Sequence, residues 1–238
     1  ESKPLERSIE LGGRIDYITT DHALADQITK RTDRYNGATM QQMMKQQALY
    51  YRMMQEMIPG LKVGAIESLG YFWVNSTNRQ YKATDSTLGR VDFETSLSEF
   101  VRITKENGVT LDHFHVDFGL HDIEYDGDYG RVLAVENCCR ANGVDVGFIA
   151  CNAFHKFMQY PVPDDQIESA SKEAAERTLQ YFEGYQKAGG TCDYFIFQRW
   201  QPYPLEIGSE GKSYTTLGIF KTLLDSPYFP KFLTLNND

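Results

Sequence analysis

Leu111-Asp112-His113-Phe114-His115-Val116-Asp117-Phe118 decides the fold. From His113 onward, ionisable and apolar side chains alternate with period two, the pattern of a strand with two different faces. His113, His115 and Asp117 share one face, and Phe114, Val116 and Phe118 share the other. A helical pattern over Asp92–Asn107 comes before it and stops at Gly108. A second helical pattern over Gly130–Asn142 comes after it and stops at Gly143. Glycine just past the last helical residue is a common stop signal. A strand between two helices of this length is part of a βα unit.

Working outward, the same alternation repeats. Gly12-Gly13 precedes a strand near Arg14–Thr20. Thr39–Met57 reads as a long helix ended by Pro59-Gly60, and Leu61–Leu69 is the second strand. The polar stretch Asn75–Arg90 reads as a long loop, and such loops in compact domains are usually functional or mobile. Val146–Asn152 is the fourth strand. Asp164–Lys187 is a helix closed by Gly189-Gly190, Asp193–Trp200 is the fifth strand, and Ser213–Leu224 is the last helix. The expected fold class is α/β with a parallel sheet, TIM-barrel-like, in one barrel-like domain over residues 1–238. A complete barrel needs eight strands. Five are evident here, with a sixth, weaker one near Tyr71–Val74, so an incomplete barrel is expected. An open α/β sheet is the alternative.

The 238 residues suit one large domain, and 41% hydrophobic with 24% charged residues allow a sizeable core. This composition excludes disorder, collagen and coiled coil as whole-chain readings. The net charge of −9, from 33 acidic and 24 basic residues, argues against nucleic acid as a partner. No apolar run reaches the ~18 residues a membrane span needs. The chain begins at Glu1 without a signal-peptide pattern, so a processed start or a piece of a longer protein is expected. Cys138, Cys139, Cys151 and Cys192 lack the spacing of a zinc ribbon or a redox pair. They read as buried thiols, with a Cys151–Cys192 bridge as the alternative. Met40, Met43, Met44, Met53, Met54 and Met57 fall at helical spacings and read as a stripe facing the core.

In parallel α/β folds the site lies at the C-terminal ends of the strands. Strand one ends in Asp21-His22 and strand two in Glu67. Strand three carries His113, His115 and Asp117. Strand four ends in Asn152, with His155 beyond it, and strand five ends in Gln198-Arg199-Trp200. The expectation is that these groups converge. Glu67 and Asp117, on neighbouring strands, form a candidate carboxylate pair for glycoside hydrolysis, with Asp21 as a third carboxylate. The apolar and small neighbours of Glu67 suit a general acid held neutral by burial. The alternative is a structural carboxylate bonded to a Lys or Arg. Trp200 with Gln201-Pro202-Tyr203-Pro204, and Tyr71-Phe72-Trp73, offer flat surfaces on which a sugar ring stacks. His113 and His115 also suit a metal, with Asp117 or Asp122 completing the site and metal-assisted hydrolysis as the chemistry. The acidic stretch Asp122–Asp128 lacks EF-hand spacing and reads as a solvated loop.

Gly13-Arg14-Ile15-Asp16-Tyr17-Ile18-Thr19-Thr20-Asp21, Val63-Gly64-Ala65-Ile66-Glu67 and His115-Val116-Asp117 resemble successive strand ends of bacterial glycosidase-like (β/α)8 proteins. Phe197-Gln198-Arg199-Trp200-Gln201-Pro202-Tyr203-Pro204-Leu205 and Ser213-Tyr214-Thr215-Thr216 resemble the last strand and helix of that group. The resemblance implies a barrel that acts on or binds carbohydrate. It implies that Asp21, Glu67, Asp117, Asn152, Gln198 and Trp200 line the cleft. On that mapping the chain holds the later strands, and a second chain or copy would cover the open sheet edge.

The expected function is therefore a carbohydrate-active hydrolase working without a cofactor. Glu67 is the acid/base, Asp117 the nucleophile or base, and Asp21 a supporting carboxylate. Asn152, Gln198, Trp200, His115, Tyr71 and Tyr203 contact the poly- or oligosaccharide. A secreted or cell-surface location fits such a protein. The alternatives are a metal-dependent hydrolase on His113, His115 and Asp117, and a non-catalytic glycan-binding or structural barrel.

Overall fold

The computed structural model describes residues 7, 9–21, 38–69, 72–77, 79–80, 92–119, 123–124, 126–151, 163–198, 208 and 215–225. Its elements are β1 (Tyr17–Asp21), α1 (Met40–Met57), β2 (Lys62–Ser68), β3 (Trp73–Val74), β4 (Arg79–Gln80), α2 (Phe93–Glu106), β5 (His113–Asp117), α3 (Gly130–Ala141), β6 (Asp145–Cys151), α4 (Ile167–Lys187), β7 (Tyr194–Gln198) and α5 (Thr216–Asp225). The protein is α/β, and the neighbour order of its five-stranded parallel sheet is β1-β2-β5-β6-β7. None of the described helices is long and apolar enough to cross a membrane.

The chain divides into two compact units. The first holds residues up to Asp117 together with Ala134–Gly147. In it β1 pairs parallel with β2, and β2 with β5. The start of β6 follows, where the Asp145 N–H donates to the Asp112 carbonyl at 3.0 Å. The Asp112 carboxylate in turn accepts from the Val63 N–H at 2.9 Å, which ties the foot of β5 to β2.

Local chemistry starts the helices of this unit. The Thr39 hydroxyl accepts from the Gln42 N–H, while the Gln42 side chain accepts from the Thr39 N–H at 2.7 Å. This reciprocal cap satisfies two donors that the first turn of α1 would otherwise leave open. Asp92 caps α2 by accepting from the Thr95 N–H at 2.8 Å. Gly108, at φ +78, takes the left-handed turn that ends α2.

In this unit α1 and α2 pack on one face of the sheet. Tyr51 of α1 reaches β1 and β2: its hydroxyl lies 2.5 Å from Thr20 Oγ1 and donates to the Gly64 carbonyl at 2.5 Å. Burial pushes the Tyr51 phenol far above its ordinary pKa, so it stays a neutral donor. Phe93 of α2 meets Phe114 of β5 edge to face, with centroids 5.2 Å apart. Val63, Ala65, Phe114 and Val116 are fully buried on this side.

The second unit holds Phe118–Leu133 and Phe148–Asp238. Its core is aromatic. Phe148 of β6 stacks on Tyr185 of α4 at 4.0 Å, and Phe182 meets Phe195 of β7 at 4.2 Å. Ala175, Phe182, Ile219 and Leu223 close α4 against α5. Arg131 is wholly buried, held by Asp126 at 2.9 Å and lying over the Phe118 ring at 4.7 Å.

Two expectations need correction. The weaker strand near Tyr71–Val74 is only Trp73–Val74, and it pairs antiparallel with β4 in a separate two-stranded sheet. It adds no strand to the parallel sheet. The methionines of α1 do not form one buried stripe. Met44 and Met54 are buried, but Met53 and Met57 are 49% and 47% exposed, because α1 spreads them over more than one face. Cys139 and Cys192 are buried and Cys138 is half-buried, while the Cys151 side chain lies outside the described residues.

Candidate active site

The register fixes which side chains share a face. Thr19 is level with Gly64, and Gly64 with His113. Asp21 is level with Ile66, and Ile66 with His115. Ser68 is level with Asp117. Level residues on parallel neighbours point the same way, and alternate residues return to the same face. One face therefore carries Tyr17, Thr19 and Asp21, then Lys62, Gly64, Ile66 and Ser68, then His113, His115 and Asp117. It is opposite the face covered by Tyr51 and Phe93.

Four contacts on this face agree with the assignment. Thr19 Oγ1 and His113 Nε2 are 2.7 Å apart, a hydrogen bond that reaches across β2. It crosses at Gly64, where an added Cβ would collide with the His113 ring and carbonyl. Tyr17 meets the His113 ring edge to face at 5.7 Å, and the Lys62 ammonium lies over the Tyr17 ring. The His113 and His115 rings lie 4.7 Å apart, tilted by 35°.

Glu67 is level with Val116, so it belongs to the helix-covered face with Ala65 and Phe114. It is fully buried there, and its charge contributes to raising the Tyr51 phenol. The expected convergence of Glu67 with Asp117 is corrected: adjacent strands bring their backbones together, but the register sends their side chains to opposite faces. Asp21 and Asp117 are the carboxylates that share a face. Asp21 is exposed at the end of β1, and Asp117 is half-buried at the end of β5.

Both histidines are held uncharged. Burial pushes His113 down to about 4, with Lys62 adding repulsion. Burial does the same to His115, also to about 4, with His113 adding to it. Each imidazole thus has one donor and one acceptor nitrogen at neutral pH.

Among the described residues, no group of three or more His, Cys, Asp or Glu is placed to hold a metal ion. His113, His115 and Asp117 share a face, but His113 turns its Nε2 to Thr19. Asp122, which the metal reading also names, lies outside the described residues, as does His155 beyond the fourth strand. So do Asn152, Trp200, Tyr71 and Tyr203. Gln198 closes β7, and its side chain is likewise outside them.

A polar groove at the start of α2 holds the carboxylates Asp92 and Glu94. They are engaged by the N–H groups of Thr95, Asn75 and Ser76, which makes them caps for the surrounding turns. The sequence reading passed over Thr19, Gly64 and Ser68. Their signal was the odd-numbered parity of β1 and the even-numbered parity of β2.

Neither a protein-family model nor a curated protein sequence matches the chain.

Proposed function

We propose that the protein is a carbohydrate-active hydrolase whose carboxylate pair is Asp21 and Asp117, carried on a (β/α)8-type barrel. One observation carries this reading: the register sets Asp21 and Asp117 on one face, at the C-terminal ends of β1 and β5, with β2 between them. Glycoside hydrolysis needs one carboxylic acid for the leaving oxygen and a second carboxylate as nucleophile or base. The more buried Asp117 suits the acid, and the exposed Asp21 suits the base that draws on water.

Two strand spacings and a two-residue offset along the strands separate Asp21 from Asp117, about 12 Å between backbones. Carboxyl groups that approach across such a gap suit the ~6.5–9.5 Å of inverting enzymes better than the ~5–5.5 Å of retaining ones. Glu67 supports the sheet in this reading. His115, uncharged and beside the pair, contacts a sugar hydroxyl.

The test is turnover of a panel of poly- and oligosaccharides by the wild type, Asp21→Asn and Asp117→Asn, with the anomer of the first product read by NMR. Each variant is expected to lose at least ~10²-fold in turnover while keeping saccharide binding. Wild-type rates in either variant would sink the assignment. Saccharide binding by the wild type without any turnover would make the protein a glycan binder instead. Loss of turnover on chelation would return His113 and His115 to a metal role.

A further inference from the structure

We propose that Thr19 and His113 act as a positioning pair for His115, fixing its imidazole on the face that also carries Asp21 and Asp117. The inference rests on the hydrolase reading for its consequence, but its geometry stands apart from it.

His113 is 1% exposed, so it is not a group that meets a large substrate. Its ring is set from three sides. Thr19 Oγ1 bonds Nε2 at 2.7 Å. Tyr17 packs edge-on at 5.7 Å. Gly64 leaves the space that the ring fills, and any side chain there would meet the ring and the His113 carbonyl. A glycine within a strand interior weakens the strand unless something must approach closely, and here that is an imidazole. His113 then offers its plane to His115 at 4.7 Å and 35°. His115 is only partly buried and stands one layer nearer the strand ends, level with Asp21.

Among the described residues of β1, β2 and β5, the titratable and charged groups on this face are Tyr17, Asp21, Lys62, His113, His115 and Asp117. An uncharged imidazole donates at one nitrogen and accepts at the other, which matches a sugar hydroxyl that does both. A tilted stack fixes the ring plane, so both hydrogen-bond directions are set before the saccharide arrives, which lowers the ordering cost of binding. His115 is thus the contact, and Thr19 and His113 are positioning residues that never touch the sugar.

The experiment compares the wild type with Thr19→Val, Thr19→Ser and His113→Leu at pH 7. Two readouts are taken: the imidazole 15N shifts of His115, and KM against kcat on the saccharide that the wild type turns over. Thr19→Val keeps shape and removes the hydroxyl. It is expected to move the His115 shifts and to raise KM about tenfold, the scale of one lost hydrogen bond, with kcat within about twofold. Thr19→Ser restores both. His113→Leu moves the His115 shifts without needing the Thr19 variant to fold.

Wild-type His115 shifts in both Thr19→Val and His113→Leu overturn the proposal. So does failure of Thr19→Ser to restore what Thr19→Val removes. A wild-type protein that neither binds nor cleaves any saccharide overturns the hydrolase reading alone, since the shifts still decide the positioning.

Discussion

Glu67 and Asp117 stand at the ends of hydrogen-bonded neighbouring strands and face opposite ways. Glu67 is level with Val116, and Asp117 with Ser68, so one residue of offset separates a carboxylate on the helix-covered face from one on the opposite face. In a sheet with period-two side chains, that offset exchanges the faces completely. Substitutions at the two positions should therefore fail differently. Asp117→Asn is expected to keep the wild-type melting temperature and lose activity. Glu67→Ala is expected to lower stability by roughly 1–3 kcal/mol, because it strips a buried polar group from its surroundings. Thermal melts beside saccharide assays separate the two. A Glu67→Ala protein that melts like the wild type but is inactive would restore Glu67 to the catalytic pair.

How far the sequence carries is clear from β2. That Leu61–Leu69 is a strand was legible from its apolar run between Gly60 and a polar stretch. Its two parities were legible as well: Val63, Ala65 and Glu67 against Lys62, Gly64, Ile66 and Ser68. Which parity meets the helices was not, because it depends on the register with β5 and on Tyr51 arriving from α1. Glu67 was read as a site residue because it was the ionisable group at the strand end. Its face-mates Val63 and Ala65 are placed on the helix side only by that register. The methionines of α1 mislead for a related reason. Helical spacing shows that residues are on a helix, but Met53 and Met57 are left exposed while Met44 and Met54 go inward. The helices ended by Gly108 and Gly143 were easier, because a left-handed glycine is a local signal that needs no partner strand.

Gly64 is the residue that lets His113 reach Thr19. In Gly64→Ala the new methyl would meet both the His113 ring and its carbonyl, and a backbone carbonyl in a sheet cannot swing away. Overpacking of this kind costs about 1–3 kcal/mol. The expected result is a lower denaturation midpoint with an unchanged denaturant slope. Equal midpoints for Gly64→Ala and the wild type would mean that the three strands separate more easily than this packing implies.

The two histidines make stability depend on pH. Both are held near 4 in the folded protein, mainly by burial, against 6.5 for the free side chain. The unfolded chain binds protons at these sites first, so the folded state is favoured fully above pH 6.5. That advantage is lost as the pH falls from about 6.5 to about 4, and it levels off below. The two rings are neighbours and His115 is partly exposed, so the loss for the pair is on the order of 3 kcal/mol rather than twice that. Unfolding midpoints measured from pH 7 to pH 4 should fall in the wild type and fall less in His113→Gln. A flat profile over that range would mean that the imidazoles are reached by water in the folded state.

The last prediction concerns the second unit. Arg131 has no exposed surface, and its partner carboxylate, Asp126, is 2% exposed at 2.9 Å. The guanidinium also lies over the Phe118 ring at 4.7 Å, a contact of about 1–2 kcal/mol when water is excluded. Taking both charges out of water is costly, so the pair is weak evidence for net stability, but removing one partner is different. Asp126→Asn leaves a buried cation with a weaker acceptor and is expected to destabilise by about 3 kcal/mol. Arg131→Met with Asp126→Leu, which removes both charges and keeps apolar volume on Phe118, is expected to recover most of that loss. Denaturant titrations of the wild type, the single variant and the double variant measure this. A double variant as unstable as Asp126→Asn would mean that Arg131 holds the loop by its hydrogen-bond geometry, a role that no apolar pair can replace.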